Sequence, residues 1–218
     1  MITDRRPARD KLRREYDSSH RLEKIRVPAS GNLAPMFGAL EAAREAAAPE
    51  LMKNVCTRFL ASLSAFYGIP SPNLKLLGPR PHSTREGRLA NELFGDYQIE
   101  AAKIRLWTRT PMKRQWTSSK TILSTLCHEF MHHLDVTALG FPNSFHTVGF
   151  YERTHRLYLA ASGIPTILLS GVALALKAGR SLTGRRQSDW GLKSFSLRAP
   201  VFNQLVSDCW SAPVSAEG

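Results

Sequence analysis

The stretch that decides the fold is residues 117–134, which read TSSKTILSTLCHEFMHHL. The apolar positions in it recur at helical spacing and are Ile122, Leu123, Leu126, Cys127, Phe130, Met131 and Leu134. Thr117, Ser118 and Ser119 are candidate N-cap residues, and Gly140 follows where such a helix would end. The pattern therefore predicts a long helix with one face buried in a core.

Two histidines and a glutamate lie together near the end of this helix, in the sequence His128-Glu129-Phe130-Met131-His132. Residues four apart share one face of a helix, so His128 and His132 can bind the same metal ion. Glu129 then points toward the open side of that ion, where it can take a proton from bound water. This H-E-x-x-H arrangement is typical of zinc hydrolases, which need a third protein ligand and a position for water.

The third ligand must come from the chain downstream of the motif. His146 lies beyond the turn at residues 140–144 and just before a second predicted helix, which starts near Thr147 and runs to about Ala161. Glu152, inside that helix, is the competing candidate, as in zinc peptidases with a glutamate as third ligand. We prefer His146, and both residues stay open at this point.

Other polar residues near the motif allow more than one interpretation. His133 is either a group that supports a ligand or a surface histidine. Asp135 either holds a ligand imidazole by its free N–H or faces solvent near the helix end. Three residues are candidates for stabilising the negative charge that develops on the substrate carbonyl: Tyr97, Tyr151 and Arg153.

At these residues the chain resembles the SprT-like metallopeptidases, the group that includes Spartan. Those proteins carry H-E-x-x-H and then a histidine that opens a short segment at the next helix, which corresponds here to residues 146–150. The strand at residues 104–106 and the approach to the motif at residues 121–126 also look like that family. The likeness covers about residues 50–162.

The resemblance implies a Zn²⁺ ion held by His128, His132 and His146, with Glu129 as the general base of peptide-bond hydrolysis. It implies an α+β, zincin-like fold, in which helices pack on a small mixed β-sheet and the motif lies on a central helix. The sequence departs from the family at residues 147–149, where Thr-Val-Gly stands in place of Gly-Pro-Glu.

Upstream of the motif, the sequence predicts another long helix and three short strands. Pro49 at the first helical position begins an amphipathic helix that Gly68 ends. Strand candidates are residues 74–77, 93–98 and 103–108, and the last of these alternates between apolar and polar positions. We expect residues 103–108 to form the edge of the sheet, where a substrate could bind by main-chain pairing.

The chain divides into three predicted segments. Residues 1–38 form a basic N-terminal arm, either extended or loosely helical, and residues 39–163 form the SprT-like metallopeptidase domain. Residues 164–218 form a C-terminal extension of uncertain structure. Residues 157–176 carry no charge, as a membrane span would, but the Gly-Ile-Pro sequence at residues 163–165 interrupts them, so integral membrane association is not expected.

Cysteine usage and the first residues both favour a cytoplasmic location. The three cysteines, Cys56, Cys127 and Cys209, are far apart and form no C-x-x-C pair, which predicts free thiols in a reducing compartment. The chain begins without the apolar core of a secretion signal.

The charge of the chain suggests its partners. With 30 Lys and Arg against 18 Asp and Glu, the net charge is +12, which predicts attraction to anionic partners. Basic residues around 103–120 interleave with Trp107 and Trp116, a combination that binds phosphates and stacks on unpaired bases. Together with the resemblance, this predicts a protein or peptide substrate associated with DNA, single-stranded in preference. No oligomeric state is predicted.

Two other functions stay open. One is a zinc peptidase at a membrane surface or in regulatory cleavage. The other is a non-catalytic, zinc-stabilised domain that binds nucleic acid, against which the intact Glu129 argues.

Overall fold

The computed structural model describes residues 3–86 and 88–163, which form a mixed α+β fold, as predicted at that level. The helices are α1 (Asp10–Arg21), α2 (Ser30–Glu45), α3 (Pro49–Tyr67), α4 (Ser119–Leu134) and α5 (Val148–Ser162), and a π-helical turn (Asp135–Leu139) continues α4. The strands are β1 (Asn73–Pro79), β2 (His82–Arg85), β3 (Arg88–Glu92), β4 (Gly95–Gln98) and β5 (Lys103–Arg109).

Helices α3, α4 and α5 begin where the sequence indicated, and Gly140 ends the π-helical turn that continues α4. Pro49 occupies the first turn of α3, and Gly68 ends it in the left-handed conformation with φ of 66°. The hydroxyl of Ser118 accepts the backbone N–H of Thr121 and caps α4. Thr147 caps α5 in the same way, because its side chain accepts the N–H of Phe150.

In the part of the chain that the structure describes, the main sheet has three strands in the order β1-β5-β4, with β5 parallel to β1 and antiparallel to β4. The prediction that residues 103–108 form the edge was wrong, because β5 is paired on both sides. Its burial agrees with a central position, since Ile104, Leu106 and Trp107 are all buried. The edge beside α4 is the short β4, and β2 pairs with β3 in a separate hairpin.

Helix α4 lies at the centre of the described residues. It contacts β4 and β5 on the sheet side and α5 and α2 among the helices. Its apolar positions from Ile122 to Leu134 are buried in one core with α3, β5 and α5. The motif residues are thereby carried on a helix that is held on several sides, which gives the side chains of His128 and Glu129 a rigid base.

The N-terminal residues are partly helical. Residues 1–38 contain α1 and part of α2, so the expected boundary after residue 38 falls inside a helix. Helix α1 contacts α5, where the Ser19 and Thr147 hydroxyls are 3.0 Å apart. The carboxylate of Glu15 accepts the N–H of Asn143 at 2.8 Å. These contacts are polar, so the hydrophobic pattern of the sequence does not indicate them.

The packing of α1 on α5 depends on Gly149. A Cβ atom at this position would collide with the carbonyl oxygen of Ser19 and lie 2.8 Å from the carbonyl oxygens of His20 and Leu22. We expect Gly149→Ala to lower the free energy of unfolding by about 1–3 kcal/mol, because the backbones must separate. Urea denaturation measures the change.

Gly38 provides the matched control for this substitution, because it lies in α2 and has nothing within 4 Å of a Cβ atom. Gly38→Ala should leave stability unchanged or raise it by roughly 0.5–1 kcal/mol through helix propensity. Equal stability of the two variants would contradict the close approach of α1 and α5.

The uncharged stretch at residues 157–176 is described only in part. Residues 157–162 belong to α5, where Leu157 and Leu159 are buried in the core. Within residues 3–86 and 88–163, no helix combines the length and the apolar character that crossing a bilayer requires. The predicted extension, residues 164–218, lies outside the described residues.

Candidate metal centre

Three histidine rings converge at the C-terminal half of α4. The Nε2 atoms of His128 and His146 are 3.1 Å apart, as are those of His132 and His146. Those of His128 and His132 are 3.2 Å apart. A tetrahedral zinc ion with Zn–N bonds of about 2.0–2.1 Å holds its ligand nitrogens about 3.3–3.4 Å apart. The triangle of nitrogens therefore has nearly the size that zinc requires.

The chemistry of these three rings also fits a cation. A neutral imidazole carries only one N–H, so three Nε2 atoms that face each other cannot all be satisfied by mutual hydrogen bonds. Burial lowers the pKa of His128 well below its ordinary value, and His132 and His146 lower it further. Burial and His146 lower the pKa of His132 in the same direction. The neutral form, which is the form that binds metal, is thus favoured.

The structure brings His146 into this cluster and leaves Glu152 outside it. Among the described residues, the group of potential ligand atoms that lie within 4.8 Å of one another consists of His128, His132 and His146. His146 lies directly before Thr147, the N-cap of α5. Its ring lies next to α4, where its Nε2 atom is 3.1 Å from those of His128 and His132. Glu152 lies further along α5.

A chain of polar groups supports His132. Its Nδ1 atom is 2.8 Å from the hydroxyl of Ser144, and that hydroxyl donates to the carboxylate of Asp135 at 3.1 Å. With Nδ1 carrying the proton, the Nε2 lone pair of His132 faces the other two histidines. Ser144 adopts a φ of 41°, which is uncommon for a residue with a side chain.

Asp135 and Arg153 form a fully buried ion pair behind Ser144. Arg153 Nη2 lies 2.8 Å from Asp135 Oδ1, and Arg153 also donates to the carbonyl oxygens of Ser19 and Leu22. Burial raises the pKa of Asp135 to about 6, against the opposing effect of Arg153. Asp135 therefore does not face solvent, and it reaches a ligand indirectly, through Ser144. Arg153 is occupied and buried, which removes it as a candidate for contact with substrate.

His146 is held by a residue that sequence reasoning missed. Asp4 Oδ2 accepts the backbone N–H of His146 at 2.9 Å, and the N–H of Asp4 donates to the His146 carbonyl oxygen at 3.0 Å. No motif or periodicity marks Asp4, because the two residues are 142 positions apart in the chain.

Glu129 lies beneath the edge strand β4. The side chain is 2 % exposed, and a Cβ atom placed on Gly95 would lie 3.0 Å from Glu129 Oε1. Burial raises the pKa of Glu129 well above its ordinary value, and the negative charge of Asp96 raises it further. A glycine at this point lets β4 approach the carboxylate closely.

His133 contacts the same strand, β4, one turn further along α4 than Glu129. Its Nδ1 is 2.8 Å from the Tyr97 hydroxyl, and its Nε2 is 2.8 Å from the carbonyl oxygen of Pro70. His133 is fully buried, so the interpretation as a surface histidine was wrong. Tyr97 is engaged in this contact. Of the three candidates for a charge-stabilising group, Tyr151 is the one whose ring lies beside the cluster, with its centroid 5.9 Å from that of His146.

The aromatic residues of the basic region are partly covered by the fold. Trp107 is buried in the described structure, and the guanidinium of Arg109 lies over the ring of Trp116 at 4.5 Å. Lys113 and Arg114 are exposed. The association with single-stranded DNA stays a prediction.

Comparison with protein-family models, with curated proteins and with solved structures finds no match to this chain.

Proposed function

We propose that this chain is a zinc-dependent metallopeptidase with a zincin-like fold of the SprT-like type. The observation that carries the proposal is the convergence of three Nε2 atoms from His128, His132 and His146, with the buried Glu129 next to His128 in the chain. A structural zinc site has four protein ligands, whereas a catalytic site has three and keeps a position for water. Among residues 3–86 and 88–163 the cluster has three members, which matches the catalytic kind.

The bound Zn²⁺ ion would supply a Lewis acid that polarises the scissile carbonyl group and activates water. Glu129 is the general base, because it follows His128 directly and takes the proton of the attacking water. The same carboxyl group then gives the proton to the leaving amine. Burial raises the pKa of Glu129 above its ordinary value, which favours uptake of a proton by this carboxyl group.

The substrate of this reaction is a protein or peptide in extended conformation. Strand β4 is paired with β5 on one side, and α4 with the metal centre lies next to it. An extended peptide that adds to the side of β4 where the described residues place no strand would run past Glu129 by main-chain hydrogen bonds. Gly95 supports this arrangement, because a side chain there would meet Thr125 and Glu129.

The non-catalytic alternative is less well supported. A domain that used zinc only for stability would have no need of a carboxyl group buried at the cost of its ionisation. Glu129 follows His128 on α4, and its side chain lies under Gly95 of β4. Burial of this kind is common where a carboxyl group takes part in proton transfer.

The test of the proposed function is metal-dependent hydrolysis. We expect the purified protein to contain about one zinc ion per chain and to cleave a mixture of unfolded peptides, with new termini detected by mass spectrometry. Dialysis against a chelator should remove zinc and activity together, and one equivalent of Zn²⁺ should restore both. Cleavage that persists in the zinc-free protein would contradict the proposal, as would a zinc-loaded protein that cleaves no peptide.

A further inference from the structure

His146 differs from the other two histidines in how the fold holds it. His128 and His132 lie one turn apart on α4, whose backbone hydrogen bonds set their spacing. His146 lies in the irregular segment 141–147, between the π-helical turn and α5. Its position must therefore be set by contacts with another part of the chain.

Asp4 supplies those contacts. It binds both backbone polar groups of His146, through its carboxylate at 2.9 Å and its own N–H at 3.0 Å. The second carboxylate oxygen, Oδ1, is 3.6 Å from Nδ1 of the His146 ring, whereas Nε2 of that ring faces the other histidines. The Asp4 side chain is 14 % exposed, so it is enclosed by the fold.

Helix α1 in turn holds Asp4 and the segment that carries His146. The hydroxyl of Tyr16 donates to the carbonyl oxygen of Asp4 at 3.0 Å, and the Tyr16 ring packs against Phe145 with centroids 5.8 Å apart. The carboxylate of Glu15 accepts from the backbone N–H and the side-chain amide of Asn143. Asp4 therefore contacts His146 itself, and α1 contacts the loop immediately before it.

We propose that Asp4 is a positioning residue of the metal centre, which holds His146 at the third ligand position and favours the proton on Nδ1 of its ring. A carboxylate near Nδ1 leaves the Nε2 lone pair free for the ion, as in other carboxylate–histidine–metal arrangements. Residues 4–21, which contain Asp4 and α1, accordingly help to position the metal centre. The inference rests on one part of the proposed function, the metal ion at the three histidines. It does not require that the protein hydrolyse peptides.

The test compares zinc affinity among variants of the full chain. Competition with a chromophoric chelator gives the affinity, and visible absorption of the Co²⁺-loaded protein reports the geometry of the ligands. We expect Asp4→Ala to weaken zinc binding by about 10- to 100-fold and to alter the Co²⁺ spectrum. Asp4→Asn should lose less, because an amide oxygen still accepts the His146 N–H but carries no charge.

Asp10→Asn is the matched control, since Asp10 lies on the same segment and its carboxylate contacts Arg13 at the exposed surface. It should bind zinc as the wild type does. Wild-type affinity and an unchanged Co²⁺ spectrum in Asp4→Ala would overturn the inference. So would an Asp4→Ala protein that loses stability without zinc but keeps its affinity. If Asp4→Ala does not fold, the Asn variant decides, and wild-type affinity there overturns the inference.

The same measurements separate this inference from the proposed function. Zinc binding by the wild type without peptide cleavage would remove the proposed function, and an affinity loss in the Asp4 variants would still support the role of Asp4. A wild type that binds no zinc would overturn both.

Discussion

Glu129→Gln is expected to reduce the rate of peptide hydrolysis by about 10²- to 10⁴-fold, the usual contribution of a general base. Glutamine has nearly the same shape as glutamate but cannot accept the proton of the attacking water. The zinc content should stay at the wild-type level, because the three Nε2 atoms that converge belong to His128, His132 and His146. The loss therefore separates proton transfer from metal binding.

The measurement pairs kcat/KM on a cleaved peptide with zinc content by mass spectrometry. Glu100→Gln is the control, because Glu100 is exposed in the turn after β4. This control should cleave at the wild-type rate. Glu129→Gln protein with full activity and full zinc content would exclude Glu129 as the base, and the mechanism would then fail.

His146→Ala should lose zinc and activity together, while Glu152→Ala should keep both. Removal of His146 leaves two ligands on α4, and the loss in affinity should exceed the roughly 10- to 100-fold that a supporting group contributes. The free energy of unfolding measured in excess chelator should change far less than the zinc affinity, because the His146 side chain is 23 % exposed.

Zinc content and affinity of the two variants, measured side by side, check this prediction. If Glu152→Ala loses zinc and His146→Ala retains it, the third ligand is Glu152 and the cluster of three histidines does not form the site. Loss of zinc in both variants would point to a rearranged site that uses both residues.

The helices around the site could be predicted because their signals are local. The cap of Ser118, the proline at the start of α3 and the glycine at its end each act on residues within a few positions. The spacing of His128 and His132 likewise depends only on the pitch of one helix. Each of these features is visible in a short window of sequence.

The order of the strands could not be predicted in the same way. Alternation in residues 103–108 indicates a strand with a buried face, but it does not state how many neighbours pair with the strand. The structure places β5 between β1 and β4, and the edge beside Glu129 is β4, with Gly95 at the closest point. The hydrogen bonds that decide this strand order join β5 to β1 and to β4, whereas a periodic pattern describes one strand at a time.

The groups that support the candidate ligands could not be predicted from the sequence either. Asp135 had two interpretations, and the structure alone shows that it contacts Ser144, nine positions away, and Arg153, eighteen positions away. Polar pairs of this kind leave no periodic pattern, because each depends on a single residue at each end.

The sequence by itself determined the helix that carries His128 and His132, together with a short list of candidate ligands and the candidate base, because these follow from residue types at short, regular spacing. Only the tertiary structure decided which strand borders the site and that His146 joins His128 and His132. It also decided that Asp4, at the far end of the chain, holds His146. The physical reason is that these relations are hydrogen bonds and packing contacts between segments distant in sequence, which form only when α1, α4 and α5 come together.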